Sequence, residues 1–193
     1  MEYGWAGLSP HTSPTIAVLV TSLPERRTLL GEALESVADQ TLPPDDVLIG
    51  VDPYRLGEAA NMNRLLGATD CEWVAFLHDD DLWLPNHLSV AAEHMNTADV
   101  IVSRVTTVGR PQHTLEPQHD DFADLARTNW FPPSAVVVRR DVFGEWHEPD
   151  WPPPRDWVDW CNWRRLHRSG ARMVHTNEPT LLYRFMGGNG SWP

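Results

Sequence analysis

The feature that most constrains the fold is a series of four short apolar runs, separated from one another by segments with a helical pattern. The runs are rich in β-branched residues and do not alternate apolar with polar side chains, which is typical of strands buried on both faces of a sheet. They occupy residues 15–20, 47–51, 73–77 and 100–102. Strands that alternate with helices predict an α/β fold with a mostly parallel central sheet flanked by helices.

The punctuation between the runs predicts where helices begin and end. Residues 22–25, Ser-Leu-Pro-Glu, have the spacing of a capping box with proline in the first turn, so a helix is expected from there to about Gln40. A later helix is expected from Asp156 to Ser169, with Gly170 as its stop. Short strands are expected at residues 135–138, 173–174 and 181–183.

Length and charge limit the class of protein. The chain has 193 residues and no convincing linker, which suits one domain over residues 1–193. No apolar stretch is long enough for a transmembrane helix, and the first residues lack a signal-peptide pattern, so a cytoplasmic protein is expected. The formal net charge of −12, with no lysine, argues against broad binding to nucleic acids.

Three adjacent carboxylates, Asp79-Asp80-Asp81, directly follow the third apolar run. Ligands of open parallel sheets bind beyond the carboxyl ends of strands, so this is the expected place for a site. Like charges this close repel one another unless a cation neutralises them, and a hard divalent ion with oxygen ligands does so while also holding a diphosphate. The alternative is a solvated acidic turn.

Several segments, taken in order, resemble family 2 glycosyltransferases. The first strand and helix, the second strand, and the block that contains the aspartate triplet, which the family calls DxD, match in sequence and spacing. So do three later segments. The similar segments are residues 16–21, 33–41, 47–52, 72–83, 133–143, 156–160 and 178–184, and the resemblance covers about residues 15–105 and 130–191.

The resemblance implies a glycosyltransferase-A fold. A Rossmann-like half that binds the nucleotide sugar is expected at about residues 15–107, and a small acceptor-binding half at about 108–193. The implied reaction is inverting transfer of a sugar from a nucleotide diphosphate donor to an acceptor hydroxyl, assisted by Mn²⁺ or Mg²⁺. A UDP-sugar is the favoured donor, with GDP- or dTDP-sugars as alternatives. The sequence does not identify the acceptor.

The resemblance also assigns donor-binding positions. Asp79 is expected to face the ribose and to share the metal with Asp81, and Asp80 to face the donor sugar. Asp52 is either a contact to the base or the start of a turn. The remaining expected positions are near the base (Thr21, Leu23, Pro24), near the donor or simply on a helix surface (Asn63), and at the diphosphate or in a structural ion pair (Arg184).

The reaction needs a base as well as a metal. Charge develops on the leaving diphosphate, which a divalent ion stabilises, while the acceptor hydroxyl must lose a proton to a carboxylate. Asp156 matches the family's catalytic aspartate at the start of a helix, although it would also serve as an N-cap, and Asp159 is the second candidate. The expected acceptor-binding side chains are Trp130, Trp151 and Trp157.

Two positions depart from the family pattern and leave a second function open. Arg155 stands where the family has glutamate, and Met186 stands where many members have a metal-binding histidine. A thioether is a poor ligand for Mg²⁺ or Mn²⁺. The alternative is therefore a catalytically silent, glycosyltransferase-like protein that binds a nucleotide or glycan. A nucleotidyltransferase is disfavoured because the chain lacks the glycine-rich, basic phosphate loop expected near the first strand.

Overall fold

A computed structural model describes residues 14–109, 121–147 and 158–185 of the chain. Strands and helices alternate in the first part, as the apolar runs predicted. In chain order the elements are β1 (Ile16–Ser22), α1 (Arg27–Ala38), β2 (Asp46–Val51), α2 (Glu58–Leu66), β3 (Trp73–His78), β4 (Leu82–Trp83), α3 (His87–Ala92), β5 (Val100–Gly109), β6 (Val136–Arg139), α4 (Arg140–Phe143), α5 (Val158–Arg168) and β7 (Met173–Phe185). Short 3-10 turns cover Pro24–Arg26, Phe122–Ala126 and Pro133–Ala135.

The strands form one seven-stranded sheet in the order β2-β1-β3-β6-β5-β7-β4. The pairings of β1 with β2, β1 with β3 and β5 with β7 are parallel. Those of β6 with its two neighbours and of β4 with β7 are antiparallel. Five strands therefore run in one direction and two in the other, which confirms an α/β fold with a mostly parallel sheet.

The register of the sheet brings several chain ends to one edge. Thr21 near the end of β1 is paired with Gly50 of β2 on one side and with His78 of β3 on the other. The antiparallel strand β6 starts at this same edge, immediately after the turn Pro133–Ala135. The ends of three parallel strands and the beginning of an antiparallel one thus surround a common region.

Behind that edge, β3 contributes to a cluster of large rings. Phe76 lies 5.2 Å from Phe143 and 5.1 Å from Trp146 between ring centroids, and Trp163 of α5 lies 5.5 Å from Phe131. All five rings are at most 3% exposed. We call this group, Phe76, Phe131, Phe143, Trp146 and Trp163, the aromatic cluster. Burial of this much apolar surface is a main source of stability for the fold.

Two local predictions are wrong. The capping box does not form, because the Ser22 hydroxyl donates to Asp79 at 2.6 Å, and a 3-10 turn precedes α1, which ends at Ala38. The two short strands expected near residues 173 and 181 are one continuous strand, β7. Its parallel pairing with β5 continues past Pro179 through register shifts, which a single sequence does not reveal.

Candidate functional site

The aspartate triplet lies where β1, β3 and β6 meet. The Asp79 amide donates to the Thr21 carbonyl at 3.2 Å, which ties the turn after β3 to the end of β1. The His78 amide donates to the Ser134 hydroxyl at 3.1 Å, which ties the end of β3 to the turn before β6. The position of the triplet is therefore set by the sheet.

Asp79 is the member of the triplet that the protein itself satisfies. Its carboxylate, on a residue that is 1% exposed, accepts from the Ser22 hydroxyl at 2.6 Å and from Arg26 Nη1 at 3.0 Å. The same Arg26 nitrogen donates to Asp80 Oδ2 at 3.1 Å. Asp79 therefore holds Arg26 beside the triplet, and both carboxylate oxygens of Asp79 accept hydrogen bonds from protein groups.

Asp81 is equally buried but only half satisfied. Asp81 Oδ1 accepts from the Arg184 amide at 3.2 Å, whereas the buried Oδ2 has no hydrogen-bond partner within the described ranges. Burial and then the charge of Asp80 raise the pKa of Asp81 to about 7, against opposing effects of the nearby Ser134 hydroxyl, of His78 and of the Arg184 amide, although the Ser134 contact does not have the geometry of a hydrogen bond. A buried carboxylate oxygen without a donor is well suited to a cation, which would neutralise the charge that burial makes costly.

A second pair of charged residues joins the triplet from the side. The His78 ring nitrogen Nε2 lies 2.8 Å from Glu58 Oε1, at the start of α2. Burial acts to lower the pKa of His78, but the carboxylates of Glu58, Asp80 and Asp81 outweigh it and raise the pKa to about 10. Without a bound cation, an imidazolium therefore balances part of the acidic charge.

His78, Asp80 and Asp81 can hold a metal together. One ligand atom from each of these residues lies within 4.8 Å of the other two. Among the residues that the structure describes, no other set of three or more His, Cys, Asp or Glu side chains comes this close together. Asp79, predicted to share the metal with Asp81, is not part of the group. The carboxylate oxygens, with the unpartnered Asp81 Oδ2 among them, fit a divalent cation.

Asp159, in the first turn of α5, completes the charged region. Its Oδ2 accepts from Asn129 Nδ2 at 2.8 Å and its Oδ1 accepts from the Trp160 amide at 2.7 Å. Burial and the charge of Glu58 raise the pKa of Asp159 to about 7, against an opposing effect of His78. We call the coupled residues Glu58, His78, Asp80, Asp81 and Asp159 the acidic edge. Asp156, the first candidate base, lies outside the described residues.

The residues expected around the base line the end of β1 and the turn after β2. Thr21 and Leu23 are buried, Pro24 is exposed, and the Thr21 hydroxyl has no hydrogen-bond partner in the described part of the chain. Asp52 accepts from the Tyr54 amide at 3.2 Å and from the Gly57 amide at 3.1 Å, and Gly57 has φ of +102°. The Asp52 carboxylate therefore builds the turn, as the alternative expectation had it.

Asn63 and Arg184 also make structural contacts. Asn63 Nδ2 donates to the Trp146 carbonyl at 2.9 Å and Asn63 Oδ1 accepts from the Trp146 amide at 2.7 Å, so both polar groups of the amide hold the aromatic cluster to α2. The Arg184 guanidinium donates to Glu32 at 2.5 Å, and it is the backbone amide of Arg184 that reaches the triplet.

Of the three expected acceptor-binding tryptophans, the structure describes only Trp130. Its ring is 9% exposed and lies 4.8 Å from His175 and 5.4 Å from Phe122 between centroids. A contact to an acceptor through Trp130 would therefore involve only its small exposed part. Trp151 and Trp157 lie outside the described residues.

Sequence reasoning assigned no functional role to Arg26, Glu58, His78 or Ser134. A signal existed for His78, which directly precedes the triplet. None existed for the other three. Glu58 looks like an ordinary acid in the first turn of a helix, Arg26 like a surface residue after a proline, and Ser134 like a turn residue. Only the pairing of distant segments makes them neighbours.

Comparison of the sequence with protein families gives one match. The model described as "Glycosyl transferase family 2" covers residues 51–180. This range contains α2, the aspartate triplet and Asp159. No curated protein matches the chain significantly.

Solved structures resemble the chain over most of its length. S. aureus TarS (1–349) in complex with UDP-GlcNAc superposes with a TM-score of 0.70 at 16% identity over 93% of this chain and 62% of that chain. The mannosyltransferase PcManGT from Pyrobaculum calidifontis, in complex with GDP-Man and Mn²⁺, superposes with a TM-score of 0.66 at 17% identity. The match covers 98% of this chain and 62% of that chain. Glucosyl-3-phosphoglycerate synthase from Mycobacterium tuberculosis, in complex with Mn²⁺, UDP and glucosyl-3-phosphoglycerate, superposes with a TM-score of 0.60 at 15% identity. The match covers 90% of this chain and 73% of that chain.

The chain spans less than two thirds of the first two of these proteins, at 62% of each. Across the described ranges, no helix combines the length and apolar character needed to cross a lipid bilayer.

Proposed function

Since the chain belongs to glycosyl transferase family 2 and has the glycosyltransferase-A fold of the structures that resemble it, we propose that it transfers a sugar from a nucleotide diphosphate donor to an acceptor hydroxyl with inversion. The observation that carries the proposal is that one edge of the sheet holds both parts of this chemistry. A group able to bind a cation, His78, Asp80 and Asp81, lies in the same charged region as Asp159, whose pKa is raised to about 7.

The donor is proposed to bind across the ends of β1 and β3. TarS, PcManGT and glucosyl-3-phosphoglycerate synthase were solved with UDP-GlcNAc, with GDP-Man and with UDP, which supports a nucleotide diphosphate sugar, a UDP-sugar first. Thr21, Leu23 and Pro24 would lie near the base, with Pro24 exposed at the surface and Thr21 and Leu23 buried behind it. Residues 15–107 would form the donor-binding half.

The aspartate triplet would hold the Mn²⁺ or Mg²⁺ that the family implies, with Asp80 and Asp81 as its carboxylate ligands. When bound, such an ion stabilises the negative charge that develops on the leaving diphosphate. Arg26 would add a second positive charge, because its guanidinium is already held at the mouth of the site by Asp79 and Asp80. Asp79 would then act on the donor through Arg26.

Asp159 is the proposed base within the described residues. A single displacement needs one group that accepts the proton of the attacking hydroxyl, and a base is most effective when its pKa lies near the working pH. The raised pKa of Asp159 meets this condition. Asp156 remains the other candidate, and residues 108–193, with Trp130, Trp151 and Trp157, would form the acceptor-binding half.

The test has a binding step and a turnover step. The melting temperature is measured with UDP, GDP, dTDP and CMP, each with and without Mn²⁺, because a ligand that binds only the folded state raises it. The expected result is a metal-dependent increase for one diphosphate that is absent in Asp81→Ala. Asp70→Ala, which removes a fully exposed carboxylate, is the matched control and should behave like the wild type.

Turnover is then measured with the sugar donors of that nucleotide, as release of the nucleoside diphosphate with a panel of hydroxyl acceptors. Product of inverted anomeric configuration supports the proposal. Binding without release of the diphosphate from any donor would favour the alternative, a catalytically silent nucleotide- or glycan-binding protein. No response to any nucleotide in a folded sample would contradict both.

A further inference from the structure

The Glu58–His78 pair has a geometry that metal sites use to orient a histidine ligand. An ionised carboxylate has no hydrogen to donate. In the 2.8 Å contact between His78 Nε2 and Glu58 Oε1, the hydrogen is therefore assigned to Nε2 of His78. Histidines that bind metals characteristically donate one ring N–H to a carboxylate and coordinate the ion through the other nitrogen. In His78 that other nitrogen is Nδ1, and a cation bound there would take the place of its proton.

The remaining ligands are present on the same edge. Ligand atoms of His78, Asp80 and Asp81 lie within 4.8 Å of one another. Independently of this spacing, Asp81 Oδ2 is a buried oxygen on a residue that is 1% exposed, and it has no hydrogen-bond partner within the described ranges. The polypeptide holds the histidine from both sides, because the backbone amide of His78 donates to Ser134 while its ring is held by Glu58.

We propose that His78 is a direct ligand of the cation in this site, oriented by Glu58, and that it makes the site selective for a transition-metal ion such as Mn²⁺ over Mg²⁺. The proposal rests on the proposed function only in placing a divalent ion at the aspartate triplet. It goes further in naming the ligand, the positioning residue and the selectivity.

The selectivity follows from ligand chemistry. Mg²⁺ is a hard ion that prefers oxygen ligands in a regular octahedron and loses its water reluctantly. Imidazole is a better ligand for first-row transition ions, and although Mn²⁺ has the lowest affinity in that series and also suits carboxylates, it loses water and accepts a nitrogen ligand more readily than Mg²⁺. One nitrogen and two carboxylate ligands therefore favour Mn²⁺. A carboxylate in place of His78 would give an all-oxygen set, which Mg²⁺ tolerates better.

The direct test is pulsed EPR of Mn²⁺ bound to the full chain, with Mn²⁺ alone and with Mn²⁺ plus UDP. Coupling to a coordinated ¹⁴N is expected in the wild type and in His167→Asn, which changes an exposed histidine of α5. It should be absent in His78→Asn. The wild-type spectrum is informative even where that variant does not fold, because bound Mn²⁺ without nitrogen coupling would overturn the proposal.

Selectivity and positioning are measured by competition. The concentration of Mg²⁺ that displaces half of the Mn²⁺ should fall about tenfold in His78→Asp, and an unchanged value would overturn the proposal. Glu58→Gln should weaken Mn²⁺ binding by about 10- to 100-fold, the range seen when the partner of a metal-binding histidine is lost, and Glu58→Asp should restore part of it. Glu35→Gln, an exposed change in α1, is the control and should leave binding unchanged.

These outcomes separate this proposal from the proposed function. Nitrogen coupling that disappears in His78→Asn supports the proposal even in a protein that transfers no sugar. Sugar transfer with Mn²⁺ bound only by oxygen contradicts the proposal and leaves the function intact. Failure to bind Mn²⁺ both alone and with UDP would overturn the proposal, and transfer that persists without metal would then still support the function.

Discussion

The aromatic cluster and the acidic edge both contain residues of β3, two positions apart, yet they are built in opposite ways. Phe76 and its ring neighbours are at most 3% exposed and touch one another in tilted or edge-on arrangements, so they stabilise the fold. In the acidic edge, Asp81 has an oxygen without a partner and two carboxyl groups have pKa values raised to about 7.

The comparison shows that the aromatic cluster stabilises the folded state, whereas the acidic edge contains charged groups whose burial destabilises it. Natural proteins tend to break the rules of satisfied hydrogen bonds and balanced charge at functional sites and to compensate elsewhere in the fold. In this protein the stabilising ring of Phe76 and the charged side chain of His78 lie on the same strand, β3. Substitutions in the two regions should therefore act on different measurements.

The largest expected effect is on stability, from Trp163→Ala in the aromatic cluster. Trp163 is fully buried, and removing a side chain of this size leaves a cavity, so the free energy of unfolding should fall by about 3–5 kcal/mol in urea titrations. Trp163→Phe should cost less, because the indole N–H has no partner within the described ranges. A folded Trp163→Phe protein that binds UDP much more weakly than the wild type would contradict the separation of the two regions.

Next comes Asp159→Asn in the acidic edge, which should lower kcat for sugar transfer by about 10²- to 10⁴-fold through loss of the base. The amide keeps an acceptor for the Trp160 amide, and Asn129, whose own Oδ1 lacks a partner in the described part of the chain, can rotate to accept from the new amide. UDP affinity should be unchanged. Asp70→Asn is the control, and equal kcat values for the two variants would exclude Asp159 as the base.

A smaller effect is expected from Asn63→Ala, where the two regions are tied together through α2. The variant loses two hydrogen bonds with the Trp146 backbone, and at least one of the two Trp146 backbone groups is left without a partner. The free energy of unfolding should therefore fall by about 1–3 kcal/mol. The KM for the donor should not change. A raised KM with unchanged urea stability would instead support the donor contact that the family resemblance suggested.

The smallest effect is an increase in stability, from Asp81→Asn. The pKa of Asp81 is about 7 in the folded state against an ordinary value of 3.8, so the folded state holds the proton more tightly than the unfolded state. Wild-type stability is therefore lost as the pH rises from about 4 through 7. The shift in pKa corresponds to about 4 kcal/mol at pH 8, but the amide also removes a negative charge that helps to stabilise the His78 imidazolium, so the variant should be more stable than the wild type by a smaller amount, about 1 kcal/mol, at pH 8.

The pH dependence of the difference is the check on this last prediction. Below about pH 4 Asp81 is protonated in both the folded and the unfolded wild type, so the pH-dependent difference between the melting temperatures of the two proteins should disappear there. A variant that is less stable than the wild type at pH 8 would show that Asp81 is satisfied by the protein without a cation.

The sequence predicted those parts of the molecule that depend on local pattern. Continuous apolar runs identified β1, β2, β3 and the start of β5, and the position of the aspartates after β3 placed a site at the edge of the sheet. The α/β class and the glycosyltransferase-A fold are confirmed. These signals are strong because buried strands must be apolar along their whole length.

What the sequence did not predict depends on which distant segments become neighbours. Glu58 pairs with His78 only because α2 begins near the end of β3, and Asn63 holds Trp146 across 83 positions. The Ser22 hydroxyl had two chemically reasonable partners, the helix behind it or Asp79, and only the fold decides between them. Asp159 was ranked below Asp156 because a helical pattern alone does not show what faces the helix.

The late arrival of β7 has a consequence for the order in which the protein is made. The ribosome completes the aspartates roughly a hundred residues before Arg184, whose amide binds Asp81, and β4 receives its antiparallel partner only from the same late strand. Until β7 emerges, a nascent chain carries its acidic residues without the strand that closes around them. The backbone contact to Asp81 at the proposed metal site is therefore completed only after β7 has been synthesised.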